Sequence, residues 1–140
     1  MNYLDTSIIV ALLTREPAAD RVTVWLRQQA TGSLHVSGWT MTEFSSALSL
    51  KLRTGQVDIA QKTMALAAFN RLVYRSLVML PAALPDFHAA ARLCDRTELG
   101  LRAGDSLHIA IAIRSGLPIA TLDKVMAAAC HVIGHPVQLL

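Results

Sequence analysis

Asp5, Glu43, Asp105 and Asp123 are four of only ten acidic residues in the chain, and each stands beside the expected start of a helix. Asp5, Glu43 and Asp123 also come shortly after short apolar stretches that read as strands, while Asp105 opens an apolar helix behind Gly104. If those strands run parallel, the four carboxylates meet on one rim of a sheet. Like charges that close repel, which raises the pKa of some members or recruits a cation. Hard carboxylate oxygens favour Mg²⁺ or Mn²⁺, ions that keep several waters and bridge to phosphate oxygens. The chemistry open to such a cluster is in-line attack of a metal-activated water on a phosphodiester.

Each acid also has a plainer reading. Thr40-Met41-Thr42-Glu43 matches a capping box, and Asp5, Asp105 and Asp123 are suited to accept hydrogen bonds from the free N–H groups of a helix start. Asp20, Asp58 and Asp86 lie near helix starts but follow no strand, and read as caps or solvated charges. His108 shares a helix face with Asp105 three residues earlier, which suits either a ligand or a packed imidazole. Cys130-His131 with His135 has spacing reminiscent of zinc, but Gly134 and Pro136 interrupt the helix and no second cysteine is near.

The elements that must carry these residues follow from punctuation and period. Asn2 to Leu4 reads as a strand feeding a helix from Asp5-Thr6-Ser7 through Leu13, and Pro17 precedes a second helix with Val22, Trp25 and Leu26. Leu34 to Ser37 is short enough for a strand, and a helix opened by Thr40 runs through Phe44 and Leu48 to Gly55. Asp58 caps a long helix, and Leu77 to Leu80 forms a third strand. A helix is expected over 85–99 closed by Gly100, another from Gly104 through Ile113, a strand over 117–120, a helix over 121–130 and a last strand over 132–137. Strands alternating with helices imply an α/β fold: a three-layer α/β/α sandwich with a central, mostly parallel sheet of four to five strands. Ligands of such sheets bind beyond the carboxyl ends of the strands, where the strand order switches.

Composition sets the outer bounds. The 140 residues suit a single domain, 1–140, without repeats or linkers. At 53% hydrophobic and 16% charged the chain must fold, which excludes a disordered tail. Mean hydropathy is +0.41, yet no apolar stretch approaches the ~18 to 20 residues of a bilayer span, so no membrane role is expected. The opening residues show no secretory signal and the two cysteines, Cys94 and Cys130, form no redox pair, which points to the cytoplasm. Thirteen basic residues give a net charge of +3. With the four clustered acids set aside, six acids face those thirteen bases, a balance that suits a polyanion such as nucleic acid.

Taken together, Tyr3-Leu4-Asp5-Thr6-Ser7, Thr42-Glu43 before an apolar helix, Leu101-Arg102-Ala103-Gly104-Asp105-Ser106-Leu107-His108-Ile109-Ala110 and Ala120-Thr121-Leu122-Asp123 resemble a PIN domain, most closely the VapC-type toxins. Each motif is short; the set, in order and spacing over essentially the whole chain, is specific. The resemblance implies a metal-dependent endoribonuclease, the toxin of a type II toxin–antitoxin system, silenced by a cognate VapB-like antitoxin and assembled as a homodimer. It implies Mg²⁺ or Mn²⁺ held directly by Asp5 and Asp105, with Glu43 and Asp123 completing the cluster and Thr6, Ser7 and Thr121 supplying hydroxyls.

Arg15, Lys51, Arg53, Arg71 and Arg75 are the bases most suited to touch phosphates. Trp25 and Trp39 suit stacking less than core packing, since aromatics make up only 5% of the chain. Surplus apolar surface on a core this small marks partner contacts, expected on the first two helices and the helix after Asp58. The alternative to a nuclease is a catalytically inactive PIN-like module acting through protein association. A haloacid-dehalogenase-type phosphotransferase would want a second Asp where Ser7 stands.

Overall fold

A computed structural model describes all 140 residues. Five strands, β1 (Asn2–Leu4), β2 (Leu34–Ser37), β3 (Val78–Leu80), β4 (Ile119–Thr121) and β5 (Val137–Leu139), form one all-parallel sheet in the order β3-β2-β1-β4-β5. Seven helices supply the crossovers: α1 (Thr6–Leu13), α2 (Ala19–Arg27), α3 (Gly38–Arg53), α4 (Ile59–Ser76), α5 (Leu84–Asp95), α6 (Ala103–Arg114) and α7 (Lys124–Ile133). The expected three layers are therefore present, with the sheet wholly rather than mostly parallel.

The central strands β1, β2 and β4 are held by burial on both faces, while the edge strands β3 and β5 remain partly exposed. Successive side chains point to opposite sides, so β1 and β4, in register at Tyr3 with Ile119 and Leu4 with Ala120, divide their residues between two cores. Tyr3 and Ile119 join Leu107, Ile109, Ile111 and Met126 beneath α5, α6 and α7. Leu4 and Ala120 join Ile8, Ile9, Val22, Phe44 and Phe69 beneath α1, α2, α3 and α4, where the rings of Phe44 and Phe69 stack at 4.5 Å.

Three expectations are corrected. The helix expected over 85–99 ends at Asp95, and Thr97–Leu99 forms a separate 3₁₀ turn before Gly100. The last strand is not 132–137: α7 runs to Ile133, Gly134 ends it in the left-handed conformation, and pairing with β4 begins at Val137. The cap of α3 is Ser37 rather than Thr40, whose hydroxyl instead accepts from the Ser37 N–H at 3.3 Å. That shift removes Glu43 from any capping role and leaves its side chain free to turn elsewhere.

One buried charge belongs to the scaffold. Asp86, 1% exposed, takes a two-pronged contact from Arg114 at 2.6 and 3.0 Å, and Arg114 also donates to the Pro81 carbonyl, pinning α6 to α5 and to the end of β3. Arg114→Ala leaves that carboxylate buried and unpaired. It is expected to cost about 2 to 3 kcal/mol, the lower side of such losses because Arg114 is partly solvated. Urea unfolding checks this; a loss below about 0.5 kcal/mol would make the pair a surface contact.

Candidate active site

The sheet order switches between β1 and β4, and the acids gather over that crevice. Asp5 leaves the end of β1 and is 4% exposed. Its Oδ1 accepts from the N–H and hydroxyl of Ser7 at 3.0 and 2.5 Å, and its Oδ2 from the Thr121 hydroxyl at 2.9 Å. Ser7 Oγ in turn accepts from the Leu122 N–H, and Thr121 Oγ1 from the Asp123 N–H, so the ends of β1 and β4 are laced together through two of the three hydroxyl-bearing positions singled out in the sequence.

Asp123 caps α7, its Oδ1 accepting from the N–H groups of Val125 and Met126. Asp105 lies in the first turn of α6, where its Oδ2 accepts from the Arg102 N–H at 3.2 Å. Helix N-termini carry partial positive charge, so α1, α6 and α7 each offset part of the repulsion among these carboxylates. The capping reading of the three aspartates is thus correct as far as it goes. Yet Oδ1 of Asp105 and Oδ2 of Asp123 accept no protein hydrogen bond, and nor does Oε1 of Glu43.

Glu43 reaches the rim from α3. Its Oε2 accepts from the Thr6 hydroxyl at 2.5 Å and faces His108 Nε2 at 2.6 Å. Its Oε1 lies against the Cα of Gly104, where a Cβ would overlap it, and the Trp39 Nε1 is beside the same point. Glycine at 104 is what lets α6 approach the glutamate this closely.

The electrostatics follow from burial and proximity. Burial pushes Asp5 above the ordinary aspartate range, offset in part by His108, Ser7 and Thr121. Burial also leads at Asp105, which the Arg102 N–H lowers while the charges of Asp123 and Glu43 add to the upward push. Glu43 goes the other way: burial raises it, but His108, Thr6 and the neighbouring Trp39 indole more than offset that and hold it below the usual range. A bound cation relieves the cost at Asp5 and Asp105, and the donor set, all hard oxygen, fits Mg²⁺ or Mn²⁺. No three of the carboxylates and imidazoles converge to metal-holding spacing as the side chains stand.

Raised folded-state values at Asp5 and Asp105 have a definite sign for stability. Protonated, they favour the folded chain below the ordinary aspartate pKa of about 3.9, and that contribution is lost as pH rises through their higher folded values. The ion-free protein is therefore expected to lose melting temperature from these groups as pH rises towards neutrality, and Mg²⁺ to restore it increasingly over the same span. Scanning calorimetry in EDTA and in Mg²⁺, read as the difference from Asp5→Asn, checks this; an Mg²⁺ shift that shrinks with rising pH contradicts it.

Thr6, Ser7, Glu43 and Asp123 line a groove of about 550 Å³. Glu16, Ser46 and Ala47 line it too, residues with no motif to mark them in the sequence. Of the basic candidates, Lys51 is tied to Glu16 at 2.7 Å. Arg15 and Arg71 line a different groove of about 500 Å³, among Leu12, Leu13, Met64 and Ala68 on α1 and α4. Trp25 is buried and donates to Gln138, and Trp39 packs against the α6 core, so neither is a stacking platform. The zinc spacing is not brought together: Nδ1 of His131 faces the Ala127 carbonyl, Nε2 of His135 faces that of Leu117, burial pushes the Cys130 thiol up to about 11, and no three ligands converge.

The fold is an all-parallel α/β/α sandwich whose switch point lies between β1 and β4, with Asp5 at the end of β1 and Asp123 just past β4. This chain belongs to the PIN domain family, whose profile matches residues 3–132. No curated protein matches it by sequence. Among solved structures, FitAcB from Neisseria gonorrhoeae is similar at 22% identity and a TM-score of 0.70, over 98% of this chain and 96% of that one. VapC20 from Mycobacterium tuberculosis, described as a sarcin–ricin loop cleaving toxin, is similar at 16% identity and 0.74, over 92% and 95%. VapBC2 from Rickettsia felis, bound to a DNA fragment from its promoter, matches at 16% and 0.70 over 100% and 99%.

Proposed function

We propose that this protein is a Mg²⁺- or Mn²⁺-dependent endoribonuclease, the toxin of a type II toxin–antitoxin pair acting in the cytoplasm. One observation carries the reading: in a PIN domain, carboxylates from separate segments come near one another at the switch point, Asp5 and Asp105 being pushed up by burial and Asp105 also by the charges of Asp123 and Glu43, a cost that folding alone gives no reason to bear. The likeness to VapC20, a sarcin–ricin loop cleaving toxin of Mycobacterium tuberculosis, supports the toxin assignment by analogy of fold.

Asp5 and Asp105 would hold the ion, with Glu43 and Asp123 completing the cluster. Bound there, it would lower the pKa of a water and neutralise charge developing on a phosphodiester. The protein's own part is placement. Ser7 and Thr121 fix both oxygens of Asp5, the start of α7 fixes one oxygen of Asp123, and Arg102 does the same for Asp105. An RNA strand would lie in the groove beside Glu43 and Asp123, where the Thr6 and Ser7 hydroxyls are already held by Glu43 and Asp5 and Ser46 offers the remaining one.

The direct test is incubation of the purified protein with total RNA, Mg²⁺ and then excess EDTA, followed by mapping of new ends. Discrete cleavage that EDTA abolishes is expected. Binding of RNA or of a partner without cleavage would favour the inactive PIN-like module instead.

Partners follow from the same reading. Val24 on α2 and Ile59, Met64 and Tyr74 on α4 are exposed apolar side chains where helix faces have no cover, suited to a cognate VapB-like antitoxin and to a second copy of the chain. Sedimentation is expected to show a homodimer; a monomer at high concentration would count against it. No helix is long and apolar enough to cross a membrane.

A further inference from the structure

We propose that His108 is a positioning residue that fixes the Glu43 carboxylate, and that it is not a metal ligand. The inference rests on Glu43 belonging to the acidic cluster. His108 projects from α6 into the protein and is 1% exposed. Its Nδ1 lies 2.7 Å from the Tyr3 hydroxyl, and Tyr3 lies 2.8 Å from Ser37 Oγ at the end of β2. Its Nε2 lies 2.6 Å from Glu43 Oε2 and 3.1 Å from Thr6 Oγ1. Both ring nitrogens are thus committed to side chains on three other elements, β1, α1 and α3, and through Tyr3 to β2.

Counting protons settles which nitrogen donates. Tyr3 has one hydroxyl proton. If it goes to Nδ1, the ring is neutral and its single N–H is on Nε2, aimed at Glu43. If it goes to Ser37, Nδ1 must carry a proton to reach the Tyr3 oxygen, and Nε2, facing an ionised carboxylate, must carry one as well. In both arrangements Nε2–H donates to Glu43 and no lone pair is left for a cation. Thr6 donates to the same oxygen, so Oε2 is held from two sides and the carboxylate cannot swing. The glutamate is thereby referenced to β1, β2 and α6 at once, the kind of outer-shell support that fixes an active-site carboxylate.

Two substitutions and one spectrum test this. Glutamine can place an amide N–H near the position of Nε2, whereas leucine fills the space without a donor. His108→Leu is expected to lower kcat on a mixed-sequence oligoribonucleotide pool about 10- to 100-fold with KM nearly unchanged, and His108→Gln to recover most of the loss. Equal activity in the two variants, whether high or low, would make His108 a packing residue and overturn the proposal. In imidazole ¹H–¹⁵N spectra of the parent protein without RNA, Nε2 is expected to stay protonated as Mg²⁺ is added to saturation. Conversion of Nε2 to an unprotonated nitrogen by Mg²⁺ would make His108 a ligand and overturn it too. The spectrum needs no RNA cleavage, so failure of the nuclease reading and failure of this one are told apart.

Discussion

Asp5→Asn is expected to abolish Mg²⁺-dependent RNA cleavage, by on the order of 10³-fold, while the ion-free protein melts no lower than the parent. On the proposed reading, the loss follows from removing a residue that would hold the ion, which would supply several kcal/mol to the step, at 1.36 kcal/mol per factor of ten. The retained stability follows from the surroundings. Asp5 is nearly fully buried with its pKa pushed up by that burial, so ionisation at neutral pH works against the fold, and a neutral amide of the same shape escapes the cost. Asn can still accept from Ser7 through its carbonyl and can donate to the Thr121 hydroxyl. Paired melts and cleavage assays read both halves. Cleavage equal to the parent's removes Asp5 from the chemistry, and a fall of more than about 8 °C shows its charge to be structural.

Gly104→Ala is expected to cost about 10²-fold in cleavage with little change in global stability. A methyl group here enters the space of Glu43 Oε1 and crowds the Trp39 indole, while Oε2 is pinned by Thr6 and His108. The carboxylate must leave its place, and misplacing a reacting group by about 1 Å carries a penalty of that size. Alanine is the better helix former by up to ~1 kcal/mol, and Gly104 has an ordinary helical backbone, so gain and clash largely cancel in the melt. Unchanged cleavage would mean that the position of Glu43 is immaterial. A strongly lowered melting temperature would mean that α6, not Glu43, gives way.

What was legible in the residues divides along physical lines. Short-range signals carried well: the apolar β1, β2 and β3 segments, the cap at Asp58 and the glycines 55 and 116 placed most elements, because turn and cap chemistry is local. The expected last strand failed because Val132 and Ile133 are apolar enough for strand or helix, and only pairing with β4 decides that the sheet resumes at Val137. The cap of α3 was misplaced because Thr40 and Ser37 are both good caps and share one motif, in which Thr40 plays the second part. The positions of Asp5 and Asp123 just past strands were legible in the residues, whereas Asp105 follows a 3₁₀ turn and Glu43 lies inside α3, so neither carries that signal. The bond from His108 to Glu43 was not legible either, since it joins residues 65 apart through a packing of α3 against α6 that no periodicity encodes. Basic residues misled in part, because charge alone does not say which face of α4 Arg71 takes.

The strand that bears Asp5 is made first but lies mid-sheet, between β2 and β4, and its carboxylate meets Thr121 across a separation of 116 residues. The pocket therefore cannot close until the segment carrying Thr121 and Asp123 has been made and has paired beside β1, so a chain cut short before β4 would hold Asp5 without its partner.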